Sequence, residues 1–210
     1  MIDVTDILKD AMALFAIVDP IGSIAIFLSL THSQSDDQKR DTANLAIFSM
    51  VIILIVTLII GEKFLWFFGI SISSFQVGGG ILIFLLAVSM LNARMPGFKR
   101  TEEEAKEAEE SSAVAVVPLA IPLMAGPGAI SSVIITSHNS TGLADYAIHI
   151  ATIILIGLFA LFVFRSAVPI ARKLGATGQN IITRIMGLLL AAISVEIIAN
   201  GLKGLFPALQ

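Results

Sequence analysis

Apolar residues run through this chain in six long blocks separated by polar breaks. The blocks cover residues 7–30, 43–60, 75–91, 113–137, 146–164 and 181–205. Each has the ~17–25 residues that a helix needs to cross a bilayer. The pattern predicts an all-α membrane protein with six transmembrane helices. Residues 31–41 (THSQSDDQKRD) read as a solvated turn. The long connection after residue 92 contains TEEEAKEAEESS, a charged helix former too polar for lipid. It divides a single transmembrane domain (1–210) into a first three-helix repeat at 1–92, a charged loop at 93–112 and a second repeat at 113–210.

Basic residues fall unevenly on the two sides. Connections after the first, third and fifth blocks hold Lys39, Arg40, Arg94, Lys99, Arg100, Lys106, Arg165, Arg172 and Lys173, against Lys9, Lys63 and Lys203 on the other side. An excess of Lys and Arg marks cytoplasmic loops, so the long loop is expected inside and both termini outside. Residues 1–10 lack the basic start and small-residue cleavage site of a signal peptide, and the first block is expected to be retained. Composition sharpens the picture. The 210 residues are 56% hydrophobic and 14% charged, where soluble domains carry about 25% charged residues; the mean hydropathy is +0.93. A net charge of −3 gives no sign of nucleic-acid binding, and the absence of cysteine excludes disulfides and thiolate metal sites. No cofactor is implied.

The halves match at an offset of 106 residues: Gly22-Ser23-Ile24 falls on Gly128-Ala129-Ile130, and Thr31-His32 on Ser137-His138. At 107, Gly80 falls on Gly187 and Ala87-Val88-Ser89 on Ser194-Val195-Glu196. With three spans per half, the second half must insert upside down, an inverted repeat of the kind recurrent in transporters. The first span of each half is interrupted at mid-length, by Asp19-Pro20-Ile21-Gly22 and by Pro118, Pro122 and Gly126-Pro127-Gly128. Proline removes a backbone donor and clashes with the preceding turn. Backbone freed in this way needs partners from protein or a water-filled cavity, and paired breaks point to a midplane binding site. A helix restarting after a break offers unpaired N–H groups and a positive dipole end to a carboxylate. Those groups are expected at residues 22–24 and 128–131, with Ser23, Ser131 and Ser132 adding hydroxyls. A small zwitterion suits such an arrangement; a packing kink is the alternative.

Ionisable groups at membrane depth are costly and usually functional. Asp19 is placed to neutralise an amine, carry a proton or cap the restarting helix. Glu196, inside the sixth block, is a second candidate for proton coupling. Its partner must come from another span, because Arg184 lies about 18 Å away along the same helix. Gln76, Asn92 and Asn200 read as interhelical or interfacial residues. Gly78-Gly79-Gly80 reads as a close helix contact, since no Lys-Ser/Thr follows it as in a phosphate loop. His32, His138 and His149 are expected at interfaces or in loops. With no HExxH and no His–carboxylate cluster, an intramembrane enzyme is disfavoured.

Phe15-Ala16-Ile17-Val18-Asp19-Pro20-Ile21-Gly22, the run from Val117 to Ser132 (VPLAIPLMAGPGAISS), Gly69-Ile70-Ser71-Ile72-Ser73-Ser74-Phe75 and the run from Asn180 to Leu189 (NIITRIMGLL) resemble the MarC family of membrane proteins over essentially the whole chain. Many relatives in that family have Pro where this chain has Ala25. The resemblance implies a multi-pass inner-membrane protein. Its name reflects an association with multiple antibiotic resistance, which suggests an efflux protein or a channel for another solute or ion. An archaeal branch, SnatA, implies instead a secondary transporter of small neutral amino acids such as glycine and alanine, with proton coupling. The expected binding residues are Asp19, Gly22, Ser23, Gly126, Gly128 and Ser131, with Asp19 and Glu196 as coupling candidates. The expected partners are the lipid bilayer, a small neutral amino acid and a coupling proton; oligomeric state is left open.

Overall fold

The computed structural model describes residues 4–32, 34–92, 124–140 and 142–206. Among these there are seven helices and no strand. They are α1 (Val4–Val18), α2 (Ile24–Leu30), α3 (Asp36–Phe67), α4 (Ile72–Leu91), α5 (Pro127–Asn139), α6 (Leu143–Arg165) and α7 (Ala167–Leu205). Four of them, α3, α4, α6 and α7, are long and apolar enough to cross a membrane. The charged loop and the part of the fourth block holding Pro118 and Pro122 lie outside the described residues.

The first block is divided as its Asp-Pro-Ile-Gly motif requires, with α1 stopping at Val18 and α2 starting at Ile24. Two other boundaries differ from the sequence reading. Residues 36–41 belong to α3 and not to a turn, because Ser35 and Gln38 form a capping box. The Ser35 side chain accepts from the Gln38 amide, and the Gln38 side chain accepts from the Ser35 amide. That reciprocal pairing satisfies two end donors and starts the helix seven residues before lipid-soluble sequence begins. Ser35→Ala removes half of it, and a cost of about 1 kcal/mol should appear as lower helicity in a peptide spanning the start of α3. At the other end of the chain, α7 begins at Ala167, well before the sixth apolar block. Gly175 interrupts it with φ 64°, setting the basic stretch of Arg172 and Lys173 apart from the apolar remainder.

Glycines fix which helices touch. A Cβ on Gly80 would lie 3.2 Å from the Ser194 carbonyl and 2.7 Å from Ile198 Cγ1, and a Cβ on Gly187 would lie 3.0 Å from the Ala87 carbonyl and 3.1 Å from the Leu91 amide. Gly201 meets Ser73 in the same way, at 2.8 Å. Helices α4 and α7 therefore run antiparallel with backbones in near contact, as small residues permit in lipid. Helices α3 and α6 are also antiparallel. The Arg165 guanidinium donates to Asn44 Oδ1 at 2.7 Å, and Gly157 sits against Val51. In the third such pair, α1 lies against α5, Ile17 near Gly128 at one end and Asp10 sharing a cavity with Thr136 at the other. The core threads between these pairs through Ile24, Phe27, Met50, Leu54, Leu58, Ile83, Met124 and Leu190. Phe27 stacks on Phe164, tying α2 to the end of α6. Outward faces are apolar as well, with Phe48, Ile52, Val56, Leu155, Phe162 and Leu188 exposed. A water-soluble fold would bury such a belt; lipid solvates it.

Candidate functional site

The break between α1 and α2 is organised by one carboxylate. Asp19 is 7% exposed and holds a φ of 37°, a left-handed conformation that Asp tolerates better than most residues. Its amide donates to the Phe15 carbonyl, closing α1. One carboxylate oxygen accepts from the Gly22 amide at 3.1 Å, and the other accepts from the Thr183 hydroxyl at 3.2 Å. Gly22 has to be glycine here, because a Cβ would fall 2.8 Å from Asp19 Cγ and against the Thr183 hydroxyl. The Ser23 amide then donates to the Asp19 carbonyl and the Ile24 amide to the Ile21 carbonyl.

This corrects the expectation of free amides at residues 22–24: all three are used inside the break. The physical reason is that an Asp three residues ahead of a donor caps it locally. Of the three roles open to Asp19 from sequence, local capping is the one these bonds display, and it extends to a second helix through Thr183.

The second break is different. Gly126 precedes α5 in an extended conformation (φ −74°, ψ −179°) and Pro127 is the first helical residue. Proline has no N–H to satisfy, and its φ suits that position. The Ile130 amide closes on the Gly126 carbonyl. The first-turn amides of Gly128 and Ala129 have no acceptor within α5, as helix geometry dictates, and none among the other described residues. Among the described residues, donors without an acceptor thus sit at 128 and 129 and do not extend to 131. They lie beside the last turn of α1, since a Cβ on Gly128 would meet Ile17, Ile83 and Leu86 at 3.5–3.7 Å. Those are ordinary van der Waals distances, so the space next to Gly128 is that of one methyl group.

The expected binding residues are brought to two adjoining surfaces. Asp19, Gly22 and Ser23 form the α1–α2 break against α7, while Gly126, Gly128 and Ser131 lie at the start of α5 against α1 and α4; all six are buried. Ser131 packs on Gly79, whose added Cβ would lie 2.7 Å from the serine Cβ. Ser132 faces a small cavity on the other side of α5. Glu196 is not brought to this region. It is exposed on α7, thirteen residues beyond Thr183 and so about 20 Å along the helix axis, with no ion pair among the described residues. Arg184 and Asn200 are exposed as well, and Gly80 is a helix contact as expected.

Two residues were missed from sequence. Thr183 holds Asp19, and Gln179, one turn earlier, is buried on the same face. Gln179, Thr183, Gly187, Leu190 and Ser194 form the buried stripe of α7, at helical spacing. A polar or small residue recurring every third or fourth position within an apolar run was the available signal. His149 also departs from its interfacial expectation and is 4% exposed inside α6. His32 and His138 are exposed, the latter paired with Glu62 at 2.9 Å. No group of three potential metal ligands occurs among the described residues.

Comparison with known proteins gives a consistent answer. Residues 4–206 match the model of the MarC family integral membrane proteins. The UPF0056 membrane protein YhcE of Escherichia coli is 43% identical, covering 96% of this chain and 94% of its own length. YvbG of Bacillus subtilis is 40% identical over 94% of each chain, and a UPF0056 membrane protein of Pyrococcus abyssi is 35% identical over 93% of each. No solved structure matches.

Proposed function

Because this chain belongs to the MarC family of integral membrane proteins, we propose that it is a secondary transporter of small neutral amino acids, glycine and alanine, working by alternating access around the two broken helices. The observation that carries this reading is the meeting of the α1 terminus with the start of α5. The first-turn amides of Gly128 and Ala129, without an acceptor among the described residues, suit a carboxylate. The end carbonyls of α1, with Asp19 next to them, suit an ammonium. The methyl-sized space beside Gly128 accepts glycine or alanine and excludes larger side chains. No bond is made or broken in this reading; the protein is a carrier and not an enzyme.

The helix pairing supports the inverted repeat. Under a two-fold axis lying in the membrane plane, each helix runs antiparallel to its mate, and α3/α6 and α4/α7 do so, while the 106-residue offset makes α5 the mate of α2. The contacts of Gly80 with 194–198 mirror those of Gly187 with 87–91 at the same offset. In this reading the rest of the fourth block supplies the remaining half-helix, giving six spans. Lys39, Arg40 and Arg165 gather around one cavity at one end of the bundle. That end is taken as cytoplasmic in the inner membrane, with the termini outside. The coupling ion is a proton.

The absence of native cysteine makes the test simple. Ser23→Cys and Ser131→Cys should each react with a membrane-impermeant thiol reagent added from either side, and glycine should slow the reaction. Labelling from one side alone, indifferent to glycine, contradicts alternating access.

A further inference from the structure

A second polar site lies away from both breaks. Beside the middle of α1, a cavity of about 20 Å³ is lined by Asp10, Leu14, Leu58, Ser132, Thr136, His149 and Thr152, among others. One water needs roughly 10–15 Å³ and two to four polar partners, and these walls offer a carboxylate, three hydroxyls and an imidazole. The imidazole is the decisive feature. His149 is 4% exposed, and its Nε2 is a buried side-chain nitrogen or oxygen with no hydrogen-bond partner, the one such atom among the described residues. A buried polar atom left unsatisfied costs about 1–3 kcal/mol, and a bound water removes that cost. Thr152 already donates to the Ile148 carbonyl, so its oxygen remains free to accept.

We propose that this cavity holds a single water molecule and that His149, through it, is a proton-binding site separate from Asp19. Taking up a proton, the water passes one hydrogen to Nε2 and receives one from the solvent side. The water is regenerated and the imidazole gains one charge. The titratable neighbours are few. Asp10 faces the cavity from α1. From α3 and α5 the walls are Leu58, Ser132, Val133 and Thr136, none of which titrates. On α6 itself, Asp145 is buried and Tyr146 contacts the Ser137 hydroxyl at 3.2 Å. Beyond them, the exposed Glu62–His138 pair marks the solvent end. The cavity thus lies between an exposed acid–base pair and the membrane interior, on the side where a proton would enter from outside. Its use as a coupling site rests on the transport reading above; its occupancy by water and a proton does not.

The chain has three histidines, so ¹⁵N-histidine labelling in lipid bilayers gives a spectrum simple enough to assign by His149→Gln. Water-edited solid-state NMR should show transfer from water to the His149 ring, and acidifying the bilayers should change its ring ¹⁵N signals from the neutral to the protonated pattern. Thr136→Val, which keeps the volume and removes a wall hydroxyl, should lose the water transfer. A dry ring, or ring signals that keep the neutral pattern on acidification, overturns the proposal. In proteoliposomes, stimulation of glycine uptake by external acid should be lost in His149→Gln; stimulation retained in that variant overturns the coupling role. If the unmodified protein carries no glycine at all, the transport reading falls while the NMR result still decides the site.

Discussion

Replacing Gly187 with valine is expected to separate α4 from α7 and leave little folded protein in the membrane. The contact is backbone against backbone, with an added Cβ 3.0 Å from the Ala87 carbonyl and 3.1 Å from the Leu91 amide. Neither neighbour is a flexible side-chain end that moves aside cheaply. Overpacking a well-fitted interior costs about 1–3 kcal/mol, a range that Gly187→Ala should already reach; valine adds two more methyl groups at the same point. At roughly 2–4 °C per kcal/mol for a domain of this size, the alanine variant should unfold several degrees lower, and the valine variant should fail to elute as a single species from detergent size-exclusion chromatography. Gly80→Val should do the same through Ile198 and the Ser194 carbonyl. Gly78 provides the control, because a Cβ there meets nothing within 4 Å. Gly78→Ala should be neutral or stabilising by up to about 1 kcal/mol through helix propensity. Equal tolerance at Gly78 and Gly187 would contradict the close crossing.

Asp19→Asn is expected to keep the fold and lose transport. Asparagine tolerates the same positive φ, and its side-chain oxygen still accepts from the Gly22 amide. What disappears is the carboxylate charge that the Thr183 hydroxyl faces and that the proposed ammonium site requires. A hydrogen bond to a charged group is worth ~1.5–3 kcal/mol, so glycine uptake should fall roughly ten- to hundred-fold with the amount of monodisperse protein unchanged. Asp19→Ala should be worse on both counts. It strands two donors and forces alanine into a left-handed backbone, and it should lower stability by about 1–3 kcal/mol. Normal transport by the Asp19→Asn variant would reduce Asp19 to a helix cap.

What was legible in the sequence follows the physics of each signal. Apolar blocks and Pro-Gly breaks are local, and so the division of the first block at Asp19 and the restart at Gly126-Pro127 are where the residues place them. Helix ends in polar sequence were harder. Hydropathy marks where lipid begins and not where hydrogen bonding begins, so the α3 turns before Ala43 and the α7 turns before Ile181 extend past their apolar blocks. The Ser35–Gln38 capping box was the overlooked cue. The partners of buried polar groups were least legible. Asp19 meets Thr183 across 164 residues of chain, and nothing local pairs them. Glu196 illustrates the converse: depth in an apolar run does not say which way a side chain faces, and here it faces outward. His149, expected at an interface or in a loop, is buried, and its face of α6 turns to α1 and α5.

A carrier site for a small zwitterion at the two breaks is best probed with purified protein in liposomes, by following labelled glycine and alanine with and without an imposed pH gradient, beside Asp19→Asn. Uptake should be saturable, driven by the gradient, competed by unlabelled alanine and lost in the variant. Folded, inserted protein that moves neither amino acid in either orientation would contradict such a site.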